Sequence, residues 1–381
     1  MNLGLSIALI PFVIWIGLLE FRGKFWRADQ RLDDADPKRT DWPAVVAVIP
    51  ARNEAEIIGA TVASLLGQVY GGPVSIIVVD DNSDDGTAGA AGEDKNLTII
   101  KGQPLAPGWS GKLWAIKQGL NEADRTHGDA PFVLLTDADI THDAQSLQRL
   151  VAKAEAENLD LVSLMVLLRC ESFWEKLLIP AFVFFFQKLF PFAWVNDPAK
   201  STAAAAGGCM LVHRDALKAA GGIDAIQGRL IDDCALAGII KNNGRIWLGL
   251  TDKVRSQRRY ERLSEIWHMV SRTAFEQLNN SFLGLVGAVL GMVVIYLIPP
   301  LAAMALLGGS PEVVVIGLVT WWGLMQWAFG PTLLLYQLSP MWGVLLPVSA
   351  LFYTLMTIAS AVKYWRGRGG SWKGRHYGPN R

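Results

Sequence analysis

The stretch Val45-Val46-Ala47-Val48-Ile49-Pro50-Ala51-Arg52-Asn53-Glu54 decides the fold. Its first five residues are apolar and mostly β-branched, which reads as a short strand, Val45–Ile49, buried on both faces. Pro50 has no amide hydrogen with which to continue a ladder, and the chain turns polar behind it. Ile57, Ile58, Val62, Leu65 and Leu66 then recur at the spacing of one helix face. Strand, polar loop and helix make the repeating unit of an α/β sheet, and the pattern continues outward. Ser75–Val79, Leu97–Ile100, Phe132–Leu135 and Leu159–Met165 read as further strands, with a helix over Ala144–Ala156. Gly208–Val212 and Arg245–Leu250 supply later strands on either side of a helix at Asp232–Lys241. This alternation predicts a parallel α/β domain over residues 42–255.

Outside that domain the chain changes character. Its 381 residues carry 35 Lys and Arg against 35 Asp and Glu, so no net charge draws it to nucleic acid. Cys170, Cys209 and Cys234 stand at no metal-ligand spacing, which excludes a zinc site or disulfide framework and fits a reducing compartment. Leu3–Leu19 is apolar and uncharged. With no Lys or Arg before it and no small-residue cleavage site after it, segment 1–21 is expected to be a membrane anchor rather than a signal peptide. Arg22, Lys24, Arg27 and Arg31 follow at once, which places the α/β domain on the cytoplasmic side of the inner membrane.

Further apolar segments at Ser281–Leu307, Val313–Tyr336 and Met341–Val362 predict a membrane region over 281–362, preceded by an interfacial helix segment at 256–280. The tail 363–381 carries Lys363, Arg366, Arg368, Lys373, Arg375 and Arg381 and no acidic residue, so it too is expected in the cytoplasm. An outside N-terminus and an inside tail require an even number of crossings after the domain. One of the three segments is therefore expected to be re-entrant or interfacial. Leu177–Val195, aromatic-rich but interrupted by Pro180, Gln187, Lys188 and Pro191, reads as an interfacial element, with a buried core helix as the alternative.

Open α/β sheets bind ligands beyond the carboxyl ends of their strands, so the residues there are the candidates. After the first strand come Pro50, Ala51, Arg52, Asn53 and Glu54. After the second comes Asp80-Asp81-Asn82-Ser83-Asp84-Asp85-Gly86-Thr87, and after the fourth Thr136-Asp137-Ala138-Asp139. So much negative charge at one edge calls for a cation or a donor-rich ligand. Asp137 and Asp139, on alternate residues, suit Mg2+ or Mn2+ completed by a diphosphate and water; an acidic helix cap is the plainer reading. Asp81 could accept a hydrogen bond from the imide of a uracil or thymine. A calcium loop is excluded because Gly92 stands where its final Glu belongs. Asn53 with Glu56 could be a capping pair. Lys112, at the start of a helix, could face a phosphate. Asp232-Asp233 open another helix, as caps favoured by its dipole or with one as a general base.

In their order along the chain these motifs resemble the family 2 inverting glycosyltransferases. Gly207-Gly208-Cys209-Met210-Leu211-Val212 and Gly221-Gly222-Ile223-Asp224 complete the series before Asp232-Asp233. The resemblance implies a GT-A fold, a nucleotide-sugar donor with a UDP-sugar foremost, and a divalent metal. It assigns Asp81 to the base, Asp137 to the nucleotide and metal edge, Asp139 to the metal and Asp233 to the general base. It places Gly207, Gly208, Cys209 and Asp232 on the acceptor side, with Gln257, Arg258, Arg259, Tyr260 and Trp267 where membrane-bound members carry a Gln/Arg-x-x-Arg-Trp motif that this chain lacks.

A narrower resemblance is to the hopene-associated glycosyltransferases. It rests on Gly108-Trp109-Ser110-Gly111-Lys112-Leu113-Trp114-Ala115, Ile231-Asp232-Asp233-Cys234-Ala235-Leu236-Ala237, the stretch from Ile266 to Phe275, and Trp372-Lys373-Gly374-Arg375-His376-Tyr377. It implies a membrane lipid acceptor of hopanoid or related isoprenoid type. A polyprenyl phosphate or glycan acceptor is the enzymatic alternative, and a tethered nucleotide-binding module without chemistry the non-enzymatic one. A dinucleotide oxidoreductase is disfavoured, since no Gly-x-Gly-x-x-Gly follows the first strand.

Overall fold

The computed structural model describes residues 3–32, 41–307, 309–367, 369, 371–372 and 375–376, the last two pairs as backbone. Part of the basic tail, including Arg368, Lys373 and Arg381, lies outside the described residues, as does Tyr377. The chain divides into two compact units. One comprises residues 1–28, 169–193 and 259–370, the other 29–168, 194–258 and 371–381.

In chain order the elements begin with α1 (Leu3–Phe21), β1 (Val45–Ala51), α2 (Ile58–Leu66), β2 (Val74–Asp80), α3 (Thr87–Ala90) and β3 (Leu97–Lys101). Then come α4 (Gly111–Thr126), β4 (Phe132–Thr136), β5 (Ile140–His142), α5 (Ser146–Ala156), β6 (Leu161–Leu167), α6 (Phe173–Leu189) and α7 (Phe192–Val195). The α/β part ends with β7 (Cys209–His213), α8 (Arg214–Ala219), α9 (Asp232–Lys241) and β8 (Ile246–Ser256). After α10 (Leu263–Ser271) come three long helices, α11 (Phe282–Ala303), α12 (Pro311–Leu335) and α13 (Pro340–Trp365).

The sheet has eight strands in the order β3-β2-β1-β4-β7-β6-β8-β5. Its first half is parallel, β1 lying between β2 and β4. The expected all-parallel sheet is corrected at β7, which runs antiparallel to both β4 and β6, and at β5, antiparallel to β8. No helix crossover links β6 to β7 in the parallel sense; the chain enters β7 after the long excursion through α6 and α7, so the strand direction is free to reverse. Ile49, Ile76, Val78, Leu134, Leu150 and Leu164 belong to the apolar core on one face of the sheet. Val46, Ile77, Val79, Ala115 and Ala123 pack on the other, beneath α4.

Within the helical unit, α1, α11, α12 and α13 are each long and apolar enough to cross a membrane, at 19, 22, 25 and 26 residues. They leave large apolar side chains exposed, among them Val13, Leu283, Leu290, Trp327 and Leu334, a surface that water does not favour. Length and hydropathy single out none of the last three as the re-entrant segment, and Pro299-Pro300 lies inside continuous helix. The segment read as interfacial sits in this unit as α6. Leu177, Leu178, Ile179, Ala181, Val183 and Phe184 are buried, and the hydroxyls of Ser349 and Tyr353 on α13 donate to the carbonyls of Leu177 and Leu178. The buried-helix alternative describes it.

Candidate functional site

The α/β unit gathers its acidic residues at one sheet edge through three turns. β1 runs two residues further than its apolar run suggested, so Pro50 and Ala51 are strand residues paired with Val79 and Asp80, and both are buried. Behind them Asn53 takes a left-handed backbone, φ 52°. Its side-chain oxygen accepts from Asp84 N, 3.1 Å, while its own N–H donates to Ser83 Oγ, 3.0 Å. Glu54 N donates to Thr87 Oγ1 at 2.8 Å. Asn53 therefore stitches the β1 loop to the β2 loop instead of capping α2, whose first turn has no side-chain cap. Arg52 lies across the same junction, its Nη1 donating to the Asp81 and Asn82 carbonyls and standing 3.8 Å from Asp81 Oδ2. Asp81 is buried at the floor of this loop pair.

The turn after β4 carries Asp137 and Asp139, and β5 holds it in place. Ile140 pairs with Ser256, which brings Ser256 Oγ to Asp139 Oδ2 at 2.7 Å. Arg258 Nε stands 3.5 Å from the same carboxylate, and its Nη2 donates to Glu54 Oε1 at 2.5 Å. Gln257 N donates to Asp139 O, 2.8 Å, and its side chain donates to Thr141 Oγ1. Thus Gln257 and Arg258, expected on the acceptor side, brace the Asp139 turn.

Lys112 is the centre of a second cluster. α4 starts at Gly111, capped by Ser110, whose Oγ accepts from Leu113 N. That cap aims Lys112 Nζ at Asp137 Oδ1, 2.8 Å, and Asp232 Oδ2, 3.5 Å. Burial alone would lower the ammonium's affinity for its proton, but Asp137, Asp232 and Asp233 outweigh it and hold the pKa above the usual lysine range. Lys112 thus meets carboxylates where it was expected to meet phosphate.

Asp233, second residue of α9, accepts from Gly207 N at 2.9 Å on Oδ2 and from Cys234 N at 2.7 Å on Oδ1. Its pKa is pushed up to about 6, first by burial and then by Asp232, with Lys112 opposing. Asp137 is likewise raised, by burial and by Asp139, against the pull of Lys112. A Cβ on Gly207 would stand 3.3 Å from both Asp233 Oδ2 and Lys112 Nζ, so this backbone approach uses the missing side chain. A Cβ on Gly208 would meet Val166 at 3.1 Å.

The Cys209 thiol is buried in the sheet core, where burial pushes its pKa up to about 12, so it lines no acceptor surface. Arg259, Tyr260 and Trp267 belong to the helical unit, where Tyr260 N donates to Glu175 Oε1. Ser256 was not anticipated; a three-residue strand such as β5 has no periodicity to announce it, so its pairing with β8 was invisible.

Among the described residues no three His, Cys, Asp or Glu side chains form a group that could cage a metal. What is present is a carboxylate pair whose members repel, with Asp139 Oδ2 committed to Ser256. This donor set fits a hard cation that brings diphosphate and water as its remaining ligands.

Against protein families, residues 46–221 match the model described as Glycosyl transferase family 2. The 4,4'-diaponeurosporenoate glycosyltransferase of Staphylococcus aureus (strain MRSA252) is 36% identical over 99 residues, 26% of this chain and 24% of the relative. The matched stretch therefore spans about a quarter of that curated relative. Among solved structures, a mannosyltransferase from Pyrobaculum calidifontis in complex with GDP-Man and Mn2+ superposes with a TM-score of 0.55 at 19% identity, covering 95% of this chain and 98% of its own. At that identity the likeness is one of fold. The family match ends before α9, so Asp232 and Asp233 lie beyond it. The stretch that matches the family 2 glycosyltransferase model runs from β1 through β7, carries Arg52, Asp81, Asp137 and Asp139 at its turns, and covers just under half of the chain.

Proposed function

We propose that this protein transfers a sugar, with inversion, from a nucleoside diphosphate sugar to a hydroxyl or carboxyl group of a membrane lipid of isoprenoid type. The observation that carries the reading is the Asp233 carboxyl, held by two backbone amides beside Lys112 with a pKa of about 6, while Asp137 and Asp139 stand together on the turn after β4. A general base works best when its pKa lies near the working pH. Where the acceptor is a hydroxyl, its oxygen attacks the anomeric carbon and its proton passes to Asp233. The bond from that carbon to the diphosphate breaks, and its electron pair leaves with the nucleoside diphosphate. Asp139 and Asp137 are the residues that would hold Mg2+ or Mn2+, which when bound supplies positive charge for the leaving diphosphate. Arg52 and Asp81 form the base end of the donor site, and a UDP-sugar suits the carboxylate at Asp81.

The lipid acceptor is supported by the four apolar helices and by the relative named for 4,4'-diaponeurosporenoate. A hopanoid remains the acceptor suggested by the sequence motifs, at the inner membrane. The test is transfer from a panel of labelled nucleotide-sugars to extracted lipids, with Asp233→Asn alongside. Labelled lipid from the wild type, reduced about 10²–10⁴-fold in the variant with nucleotide affinity kept, is the expected result. A variant that keeps most of its turnover assigns Asp233 to helix capping alone.

A further inference from the structure

In the helical unit, α1 ends at Phe21 and the chain turns back at once through left-handed residues, Gly23 at φ 59° and Lys24 at φ 46°, into a tight turn over Phe25–Arg27. This puts Arg22, Lys24 and Arg27 within one turn of the end of an apolar helix. Arg22 caps the carboxyl end of α6, donating to the carbonyls of Lys188 and Leu189 at 3.1 and 3.0 Å. Lys188 sits beside it, with its ammonium donating to Tyr296 Oη at 2.9 Å and lying over the rings of Tyr296, 4.6 Å, and Phe185, 5.4 Å.

Ion pairs within this unit join Arg169 to Glu171 and Glu175. The ammonium of Lys188 and the exposed ends of Lys24 and Arg27 have no carboxylate at ion-pair distance among the described residues. Ring faces and one phenol offset part of a half-buried charge, not all of it. Glu20 and Asp29, both exposed, flank the turn in sequence. Next to the cations is an aromatic belt. Trp26 packs against Trp327 with ring centroids 4.2 Å apart and donates to Leu19 O, Arg27 lies 5.7 Å over Trp26, and Phe21 is 80% exposed. Aromatic girdles of this kind mark the headgroup level of a bilayer.

We propose that the turn after α1, together with Lys188, binds the phosphodiester headgroup of an anionic phospholipid. The phosphate supplies negative charge that no carboxylate among the described residues brings to Lys188, Lys24 and Arg27, and Trp26 and Trp327 seat the glycerol and upper acyl region. This proposal rests on the membrane reading above.

Native mass spectrometry of the full chain released from nanodiscs of mixed phosphatidylglycerol and phosphatidylcholine tests it. Wild type should retain phosphatidylglycerol preferentially. Lys188→Gln should lower that preference about fivefold, the equivalent of the roughly 1 kcal/mol one basic side chain contributes beside an anionic leaflet. The exposed pair Lys24→Gln with Arg27→Gln, which removes no buried contact, should lower it further without changing the melting temperature. Equal retention of both lipids, or a preference untouched in both variants, overturns the proposal while leaving the membrane reading intact. Displacement of phosphatidylglycerol by an isoprenoid carboxylic acid at equimolar amounts also overturns it, by making the site part of the acceptor path. Release of the chain from membranes by alkaline carbonate would overturn both readings.

Discussion

In the proposed mechanism Asp233 has the conflict of roles that a buried base imposes. Its pKa, raised to about 6 from an ordinary 3.8, means that the folded protein binds this proton more tightly than the unfolded chain does. Its contribution to stability is therefore complete below about pH 3.8 and lost as pH rises through about 6. Transfer needs the opposite protonation state, so kcat/KM should climb as pH rises through about 6 and level off above it; a profile flat from pH 5 to 8 would remove Asp233 from the base role. The same sign gives a second expectation. Asp233→Asn cannot acquire the buried charge, so relative to wild type its apparent melting temperature should be higher at pH 7.5 than at pH 4.5, a gain on the order of 1–3 kcal/mol. A pure helix cap predicts a loss instead, of roughly 1 kcal/mol. Gly207 is tied to the same group. Gly207→Ala places a methyl against both Asp233 Oδ2 and Lys112 Nζ, and should cut turnover at least tenfold with little change in melting temperature, measured on the purified chain.

At the level of elements, α9 works from both ends. Its start holds Gly207 through Asp233, and its last residue, Lys241, donates to the carbonyls of Trp194, Val195, Asp197 and Thr202 at 2.6–3.2 Å. One helix thereby fixes both the loop at 194–202 and the Gly207 amide that follows it. Lys241→Met leaves those carbonyls without their donor, which costs about 1–3 kcal/mol. It should raise the acceptor KM while nucleotide affinity, which we propose is set at the β1, β2 and β4 turns, stays put; calorimetry with nucleoside diphosphate separates the two. None of this could be read from spacing, since a Lys at a helix end looks like any dipole-favoured cation.

What was legible were the strands, because β-branched apolar runs bounded by polar turns announce themselves, and α9, whose predicted bounds Asp232–Lys241 match the structure. What was not legible depended on long-range partners. The direction of β7, the existence of β5, and the pairing of Arg258 with Glu54 two hundred residues away all follow from packing. Gly119 is a similar case. In sequence it is a weak point inside α4, yet a Cβ there would lie 2.4 Å from Val48 Cγ1 and 3.0 Å from Val79 Cγ2. Gly119→Ala should destabilise by about 1–3 kcal/mol through overpacking rather than gain the usual helix propensity, as a thermal melt would show.

For the whole molecule, the side of the membrane on which the tail lies sets two tendencies against each other. Three helices after the α/β unit are each long and apolar enough to cross, and three crossings would put the tail opposite that unit. The tail's six Lys and Arg with no acidic residue favour the cytoplasmic side, where the basic turn after α1 also argues for the α/β unit. Translocating a positive charge outward against the membrane potential costs about 2.3 kcal/mol per 100 mV, and the six charges of the tail multiply that cost. α12 and α13 are joined by only the four residues 336–339, which obliges them to run as neighbours in opposite directions if both cross. We therefore expect the tail on the same side as the α/β unit, with one of the three helices not reaching the far surface. A single cysteine placed after residue 376, in a variant with Cys170, Cys209 and Cys234 replaced, should resist an impermeant maleimide added to intact cells and react once the membrane is opened. Labelling from outside would mean that all three helices cross and that the tail is carried over in spite of its charge.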